Sequence, residues 1–280
     1  MNRHHPALPL ALLLAMSGIT AVLTAQTAAA STTRTVTTVN VNAVSVKAID
    51  SANIITDPGW FVRAYDAGIR LYIMHSTGWG TCEPWSRTQE QLKMALDAGL
   101  EIAVYTRDAT CWQGGIAAAG PYQVQLAFFA LDVEPGSPPV TREMVDGVRA
   151  MGVRPVIYSG SGMWPTIMDG STAFADVPLW DANAGPVDYA GWTADTGAPG
   201  PVGYGGWNTA ANPRIGVQQK FEHELNGVLV DLNSFDAAFL GLASPEAPPA
   251  APLAAAPAPQ LTATPLSSPA PRAVRVRWRR

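Results

Sequence analysis

Short apolar runs alternate with amphipathic stretches between residues 44 and 241, and this alternation restricts the fold more than any other property. The apolar runs are rich in β-branched and aromatic residues and are bounded by Gly, Pro or Asp. They predict strands at 44–50, 70–75, 101–106, 126–132, 153–159, 177–182, 215–221 and 228–232. The stretches between them predict helices at 58–68, 88–98, 141–151, 163–169 and 234–240.

The early strands are almost wholly apolar, as in the run LAFFAL at 126–131. That pattern is typical of strands buried on both faces, in a parallel sheet covered by helices. The alternation therefore predicts an α/β protein with a single TIM-like (β/α) barrel domain over 44–242. Because 183–213 is rich in Gly, Pro, Trp and Tyr, the barrel is expected to be incomplete, with few helices in its last third. A doubly wound open sheet is the alternative, but no Gly-rich nucleotide loop supports it.

The first 43 residues read as an export segment and a short linker. Residues 1–30 combine an early Arg3, an apolar stretch and small residues at 28–30, which predicts a cleaved signal peptide. An uncleaved anchor is the alternative, but Ser17 and Gly18 interrupt the stretch, and it is shorter than the ~20 apolar residues that span a bilayer. We therefore expect no stable membrane span and a secreted protein, extracellular or associated with the cell wall.

Charge and composition separate the tail from the predicted barrel. Residues 44–242 hold 21 acids and 11 bases, which disfavours nucleic acid as a partner. Proline and alanine make up 20 of the 38 residues at 243–280, which predicts a disordered tail. Five of the 18 bases fall in its last nine residues. Two interpretations stay open for this basic end: it binds an anionic cell-wall polymer or lipid, or it is a solvated terminus.

The two cysteines, Cys82 and Cys111, are expected to form a disulfide in an oxidising compartment. A catalytic thiol is the alternative, but it needs a basic partner, and only His75 is near in sequence. No CxxC pair or HExxH run suggests a metal site, so we expect neither metal nor cofactor. Four histidines, two of them in the leader, leave little for a Ser/His/Asp triad.

Acidic residues stand at the ends of three predicted strands: Asp50, Asp132 and Asp231. Glu134 follows Asp132 by two positions, so both side chains point to one face while the chain stays extended. Strand ends form the floor of the active site in a β/α barrel. Acids at strand ends are also common helix caps, but their recurrence at three ends favours a carboxylate site that protonates a glycosidic oxygen.

Five motifs in order resemble the glycoside hydrolase family 25 lysozymes and related glycoside-hydrolase-like domains of unknown function. They are AIDS at 48–51, LAFFALDVE at 126–134, PVIYS at 155–159, PLWDA at 178–182 and GVLVDLN at 227–233. The resemblance covers about residues 44–240. It implies an incomplete β/α barrel that cleaves the β-1,4 bond after N-acetylmuramic acid in peptidoglycan, with retention of configuration.

The resemblance also implies roles for single residues. Glu134 corresponds to the general acid, and Asp132 to a neighbour that orients the substrate's acetamido group or a water. Asp50 and Asp231 complete the cleft. Substrate contacts are expected from aromatic residues on the strands and in the loops at one end of the barrel, namely Tyr105, Tyr158, Trp79, Trp85, Trp112, Trp180, Trp192 and Trp207. We expect a monomer.

Two departures from the family pattern keep a second function open. Met74-His75-Ser76-Thr77-Gly78 lacks the usual lysine and glutamate, and the usual Trp-Gln appears as Gln218-Gln219. The alternative is a glycan-binding module of the cell wall that is inactive or weakly active. Chitinases of the D-x-x-D-x-D-x-E type are disfavoured, because their first two aspartates fall at Ala127 and Ala130.

Overall fold

The computed structural model describes residues 45–78, 80–183, 200–209 and 211–242. The predicted signal peptide at 1–30, the linker at 31–43, the tail at 243–280, Trp79 and Trp192 lie outside the described residues. The eight strands are β1 (Ser45–Ser51), β2 (Ile69–His75), β3 (Glu101–Thr106), β4 (Leu126–Asp132), β5 (Pro155–Ser159), β6 (Leu179–Ala182), β7 (Arg214–Leu225) and β8 (Val228–Asp236).

The eight strands pair in chain order and close into a barrel. Strands β1 to β7 run parallel to one another, whereas β8 is antiparallel to both β7 and β1. The predicted TIM-like α/β barrel is thus confirmed, with a reversed last strand that the sequence did not indicate. The described residues hold five α-helices: α1 (Pro58–Asp66), α2 (Thr88–Asp97), α3 (Trp112–Ala117), α4 (Arg142–Ala150) and α5 (Trp164–Ile167).

Apolar side chains pack in two layers, one on each face of the strands. Phe128 and Ala130 of β4 belong to the cluster inside the barrel, which is built from strand residues. Their neighbours Phe129 and Leu131 belong to the larger cluster between the strands and the helices. This alternation explains why the run 126–131 has no polar residue, since both of its faces are buried.

Two of the helices, α1 and α4, begin at residues whose side chains cap them. The Asp57 side chain accepts a hydrogen bond from the Gly59 amide and starts α1. Gly99 follows α2 with a φ of +88°, in the left-handed region that closes a helix at little cost for glycine. Helix α3 was not predicted, because Gly114-Gly115 reads as a helix breaker. A β-carbon at Gly115 would lie 2.5 Å from Thr106 Cγ2, so close packing accounts for this glycine.

The helix predicted at 234–240 is wrong: residues 234–236 belong to β8 and residues 237–240 form a turn. Strand β8 continues to Asp236 and pairs with β1 along that length. Phe235 points into the barrel, where its ring stacks on Phe128 with centroids 5.5 Å apart. This tertiary contact and the β1 ladder override the local helical pattern.

The predicted disulfide is confirmed: Cys82 and Cys111 are bonded, with α-carbons 4.7 Å apart. It joins the loop between β2 and α2 to the turn between β3 and α3. Within the described ranges, none of the helices has the length and apolarity that crossing a bilayer requires.

Candidate active site

A cavity of about 610 Å³, hereafter the main cavity, opens at the end of the barrel where the parallel strands finish. Strands β1 and β3 to β8, or the loops that follow them, contribute to its wall. The lining residues are Asp50, Ser51, Ala52, Asn53, Tyr105, Arg107, Asp132, Glu134, Tyr158, Trp180, Gln218, Phe221, Glu222, Leu229, Val230 and Asp231. All four acids singled out in the sequence therefore lie in one cavity.

Asp231 reaches this cavity by a route that the sequence did not suggest. It was expected at the carboxyl end of a parallel strand, but β8 is antiparallel and Asp231 lies in its first half. The reversal brings the start of β8 to the end of the barrel where β1 finishes, and Asp231 pairs directly with Asp50 across the ladder.

Asp50 and Asp231 are held by a shared amide. Gln218 Nε2 donates to Asp50 Oδ1 at 2.9 Å and to Asp231 Oδ2 at 3.0 Å. Asn233 Nδ2 also donates to Asp50 Oδ1, at 2.7 Å. Burial raises the pKa of Asp50 well above its ordinary value, and the charge of Asp231 raises it further. Burial raises the pKa of Asp231 to about 6.

A backbone irregularity supplies a further hydrogen bond to Asp231. The β7–β8 ladder shifts register between Lys220 and His223, and Glu222 in this bulge has a φ of +51°. Its amide N–H donates to Asp231 Oδ1 at 2.7 Å, which opposes the rise in the pKa of that carboxyl. The bulge thus shapes one wall of the main cavity.

Asp132 and Glu134 differ in depth. Asp132 ends β4 and is 3% exposed, and its Oδ1 has no hydrogen-bond partner. Burial, followed by the charge of Glu134, raises the pKa of Asp132 well above its ordinary value. The Glu134 side chain is 24% exposed, and Arg107 Nε lies 2.8 Å from its Oε1. Burial raises the pKa of Glu134, whereas the Arg107 charge lowers it.

The buried aromatic residues form the floor of the main cavity. Tyr158 Oη donates to Gln218 Oε1 at 2.5 Å, and Trp180 Nε1 donates to Asn233 Oδ1 at 2.8 Å. Trp180 is only 1% exposed, and the Tyr105 ring meets it edge-on. Phe221, which is 50% exposed, offers an open aromatic face on the wall.

Three of the predicted tryptophans lie away from the main cavity. Trp112 begins α3 and packs on α4, where a β-carbon at Gly147 would lie 2.4 Å from its ring. Trp207 is fully buried and stacks edge-on against Trp164. Trp85 is partly buried and packs on the outer apolar layer. The order of residues after a strand does not reveal which way a loop side chain turns.

Several residues of this site were not assigned from the sequence: Arg107, Gln218, Phe221 and Glu222. Gln218 carried only a weak signal, as an uncharged amide that follows Ile215-Gly216-Val217 in the predicted strand 215–221. Among the described residues, no group of three or more His, Cys, Asp or Glu side chains is arranged to hold a metal ion.

Neither a protein-family model nor a curated protein matches the chain. Among solved structures, it is similar to a muramidase from Trichobolus zukalii, at 19% identity and a TM-score of 0.47, over 70% of this chain and 99% of that one. It is also similar to a dihydropteroate synthase from Xanthomonas albilineans, at 14% identity and a TM-score of 0.26, over 48% and 69% of the two chains. Both TM-scores are below 0.5, so the evidence for the barrel is this chain's own strand pairing.

Proposed function

We propose that the chain is a glycoside hydrolase that cleaves β-1,4 bonds of peptidoglycan as an N-acetylmuramidase does, with Glu134 as the general acid. The observation that carries this proposal is a partly exposed glutamate of raised pKa beside three more deeply placed carboxyls in one open cavity. A general acid must hold a proton and still reach its substrate: burial raises the pKa of Glu134, and its side chain stays 24% exposed.

Asp132 is proposed as the assisting residue. Its unpartnered Oδ1 is a buried hydrogen-bonding atom without a protein partner, which costs free energy unless a ligand or water occupies it. An acetamido N–H or an attacking water supplies the matching hydrogen. In this proposal Asp132 holds the acetamido group against the anomeric carbon, an arrangement that gives retention of configuration.

Asp50 and Asp231 are proposed to balance the positive charge that develops at the sugar ring. Their side chains share the Gln218 amide, and their pKa values are raised. A cation forming above them favours their ionised state, so their attraction grows toward the transition state. Exposed Phe221 is proposed to cover an apolar sugar face from the wall.

Glu134→Gln tests this function directly. Wild-type protein is expected to release reducing ends from purified peptidoglycan, and mass analysis of the fragments should show cleavage after N-acetylmuramic acid. The variant should lose at least 10²-fold in rate. Glu143→Gln, which changes an exposed glutamate on α4, is the matched control. Equal release by wild type and Glu134→Gln would remove Glu134 from the mechanism.

A glycan-binding module of the cell wall without turnover is the second candidate. The Arg107 charge beside Glu134 favours it, because an arginine at 2.8 Å stabilises the ionised carboxylate that cannot donate a proton. Retention of the protein on insoluble peptidoglycan, with no new reducing ends, would select this candidate. In either case we propose an extracellular or wall-associated location, where the Cys82–Cys111 disulfide persists.

A further inference from the structure

A second cavity of about 320 Å³, hereafter the side cavity, lies beside the main cavity. The loops after β2, β3 and β4 form it, with three glycines and the polar residues His75, Thr77, Thr81, Arg107, Asp108 and Ser137. The second-strand segment that departs from the family pattern forms much of its wall.

The two cavities share a boundary. Arg107 lines both, and its Nε contacts Glu134 Oε1 at 2.8 Å. Next to it, the His75 ring of the side cavity meets the Tyr105 ring of the main cavity edge-on, with centroids 5.2 Å apart. The side chain proposed as general acid therefore stands at the junction of the two spaces.

We infer that the side cavity binds the sugar on the leaving-group side of the bond that is cleaved. This inference rests on the proposed function. It adds the location of the leaving-group half of the substrate. The Glu134 proton passes to the glycosidic oxygen, the bond from that oxygen to the anomeric carbon breaks, and the oxygen keeps the electron pair as the hydroxyl of the departing sugar. As that oxygen departs, the acetamido oxygen bonds to the anomeric carbon; water then displaces it, adding its own oxygen to the anomeric carbon and returning a proton to Glu134.

The position of Glu134 determines which cavity binds which half of the substrate. The developing positive charge belongs beside Asp50, Asp132 and Asp231, and all three line the main cavity. The departing oxygen belongs beside Glu134, so the sugar attached to it extends away from those three acids. The side cavity shares Arg107 with the main cavity and is lined by none of those three acids.

The lining of the side cavity suits a neutral, polar ligand. Hydroxyls of Thr77, Thr81 and Ser137 and the backbone at three glycines offer hydrogen bonds. Burial lowers the pKa of His75, which favours the neutral form of its ring. Asp108 and Arg107 contribute opposite charges. A sugar that carries hydroxyls and an N-acetyl amide fits this chemistry better than an anionic or an apolar group.

The outer wall of the side cavity is braced before a ligand binds. The loop between β2 and α2 is closed by hydrogen bonds from Gly78 N to Glu83 O and from Trp85 N to Ser76 O. The Cys82–Cys111 disulfide ties this loop to the β3 side. A wall fixed in advance reduces the ordering entropy that binding has to offset.

Thr81→Trp tests the inference in a Glu134→Gln background. Thr81 is exposed, so the indole should enter the side cavity without disturbing the core. The probes are glycan fragments of two and four sugars, prepared from peptidoglycan without peptide and titrated calorimetrically. We expect the four-sugar fragment to bind at least tenfold more tightly than the two-sugar fragment. Thr81→Trp should abolish that gain and leave two-sugar binding unchanged. Thr166→Trp, an exposed threonine on α5 outside both cavities, should preserve the gain.

The outcomes separate this inference from the proposed function. A length-dependent gain that survives Thr81→Trp, or that is absent from the start while wild type still hydrolyses peptidoglycan, would overturn the inference alone. No binding of either fragment, together with no hydrolysis by wild type, would overturn both. Loss of the gain only in Thr81→Trp, with an unchanged unfolding midpoint, would support the inference even if hydrolysis were absent.

Discussion

At the scale of single residues, Gln218 organises the carboxylates. One side-chain amide contacts Asp50, Asp231 and Tyr158, and the residue is 2% exposed. A glutamine in this position donates two hydrogens to two acids and accepts one from a phenol, so each of its polar atoms has a defined task. We interpret Gln218 as a positioning residue, because it acts through the acids that face the substrate.

Gln218→Met should lower kcat by about 10²-fold, since small displacements of reacting groups have effects of this size. The substitution also removes a hydrogen bond that lowers the pKa of Asp50. The acidic limb of the pH–rate profile should therefore move to higher pH. Gln219→Met is the matched control, because Gln219 bonds Ser234 instead of an acid of the main cavity. An unchanged acidic limb would contradict the positioning role.

Arg107→Met should move the basic limb of the profile to higher pH. Arg107 lowers the pKa of Glu134, so its removal lets Glu134 keep its proton to a higher pH, and a general acid works only while protonated. Arg142→Met, which breaks an exposed pair with Asp176, should leave the limb in place. If the basic limb of the pH–rate profile is at the same pH in Arg107→Met and in wild type, the ionisation of Glu134 does not determine that limb.

The acids of the site were predictable from the sequence, and their supporting residues were not. Asp50 and Asp132 stand out because a carboxyl at the end of an apolar strand is costly to bury without a function. Gln218 gives a weaker signal, since an uncharged amide in a strand is common. Arg107 is one of many surface arginines by sequence, and only the folding of the β3 loop next to β4 brings it to Glu134.

At the scale of elements, the parallel strands were predicted well and the closing hairpin was not. Strands β1 to β6 are buried on both faces, so their apolar runs mark them directly. Strand β8 mixes polar and apolar residues, and its extent depends on pairing with β1, up to 191 residues away in the chain (Ser45 with Asp236). Local pattern carries no information about such a partner, and the helical prediction at 234–240 failed for that reason.

The disulfide should stabilise the loops that follow β2 and β3. Its cysteines are 29 residues apart, and closing a loop of that length is worth about 3–4 kcal/mol in the chain-entropy model. A Cys82→Ser/Cys111→Ser variant should unfold at a clearly lower urea concentration than the oxidised wild type. Wild type with a reductant should approach the variant, and the variant itself should not respond to reductant. Coinciding midpoints for oxidised wild type and the variant would show that the bond adds no net stability.

At the scale of the whole molecule, the barrel concentrates unfavourable charge at one end. Asp50 and Asp132 are 4% and 3% exposed, and burial raises the pKa of both. When an acid has a higher pKa in the folded state than in the unfolded chain, the folded state loses stability at every pH at which the unfolded chain ionises that acid. The proposed active site therefore lowers the stability of the fold that supports it, as is common where function requires buried charge.

Asp132→Asn should be more stable than wild type at pH 7 and inactive or nearly so. The pKa of Asp132 is raised in the folded state, so its unfavourable contribution is absent below the ordinary value of 3.8, grows as pH rises, and is complete above the folded pKa. The Tm of the variant should exceed that of wild type by several degrees at pH 7, since 1 kcal/mol shifts the Tm of a domain this size by roughly 2–4 °C. The difference should shrink toward zero near pH 4. Asp66→Asn, at the exposed end of α1, should show no such pH-dependent gain. A Tm difference that is independent of pH would show that burial does not raise the pKa of Asp132.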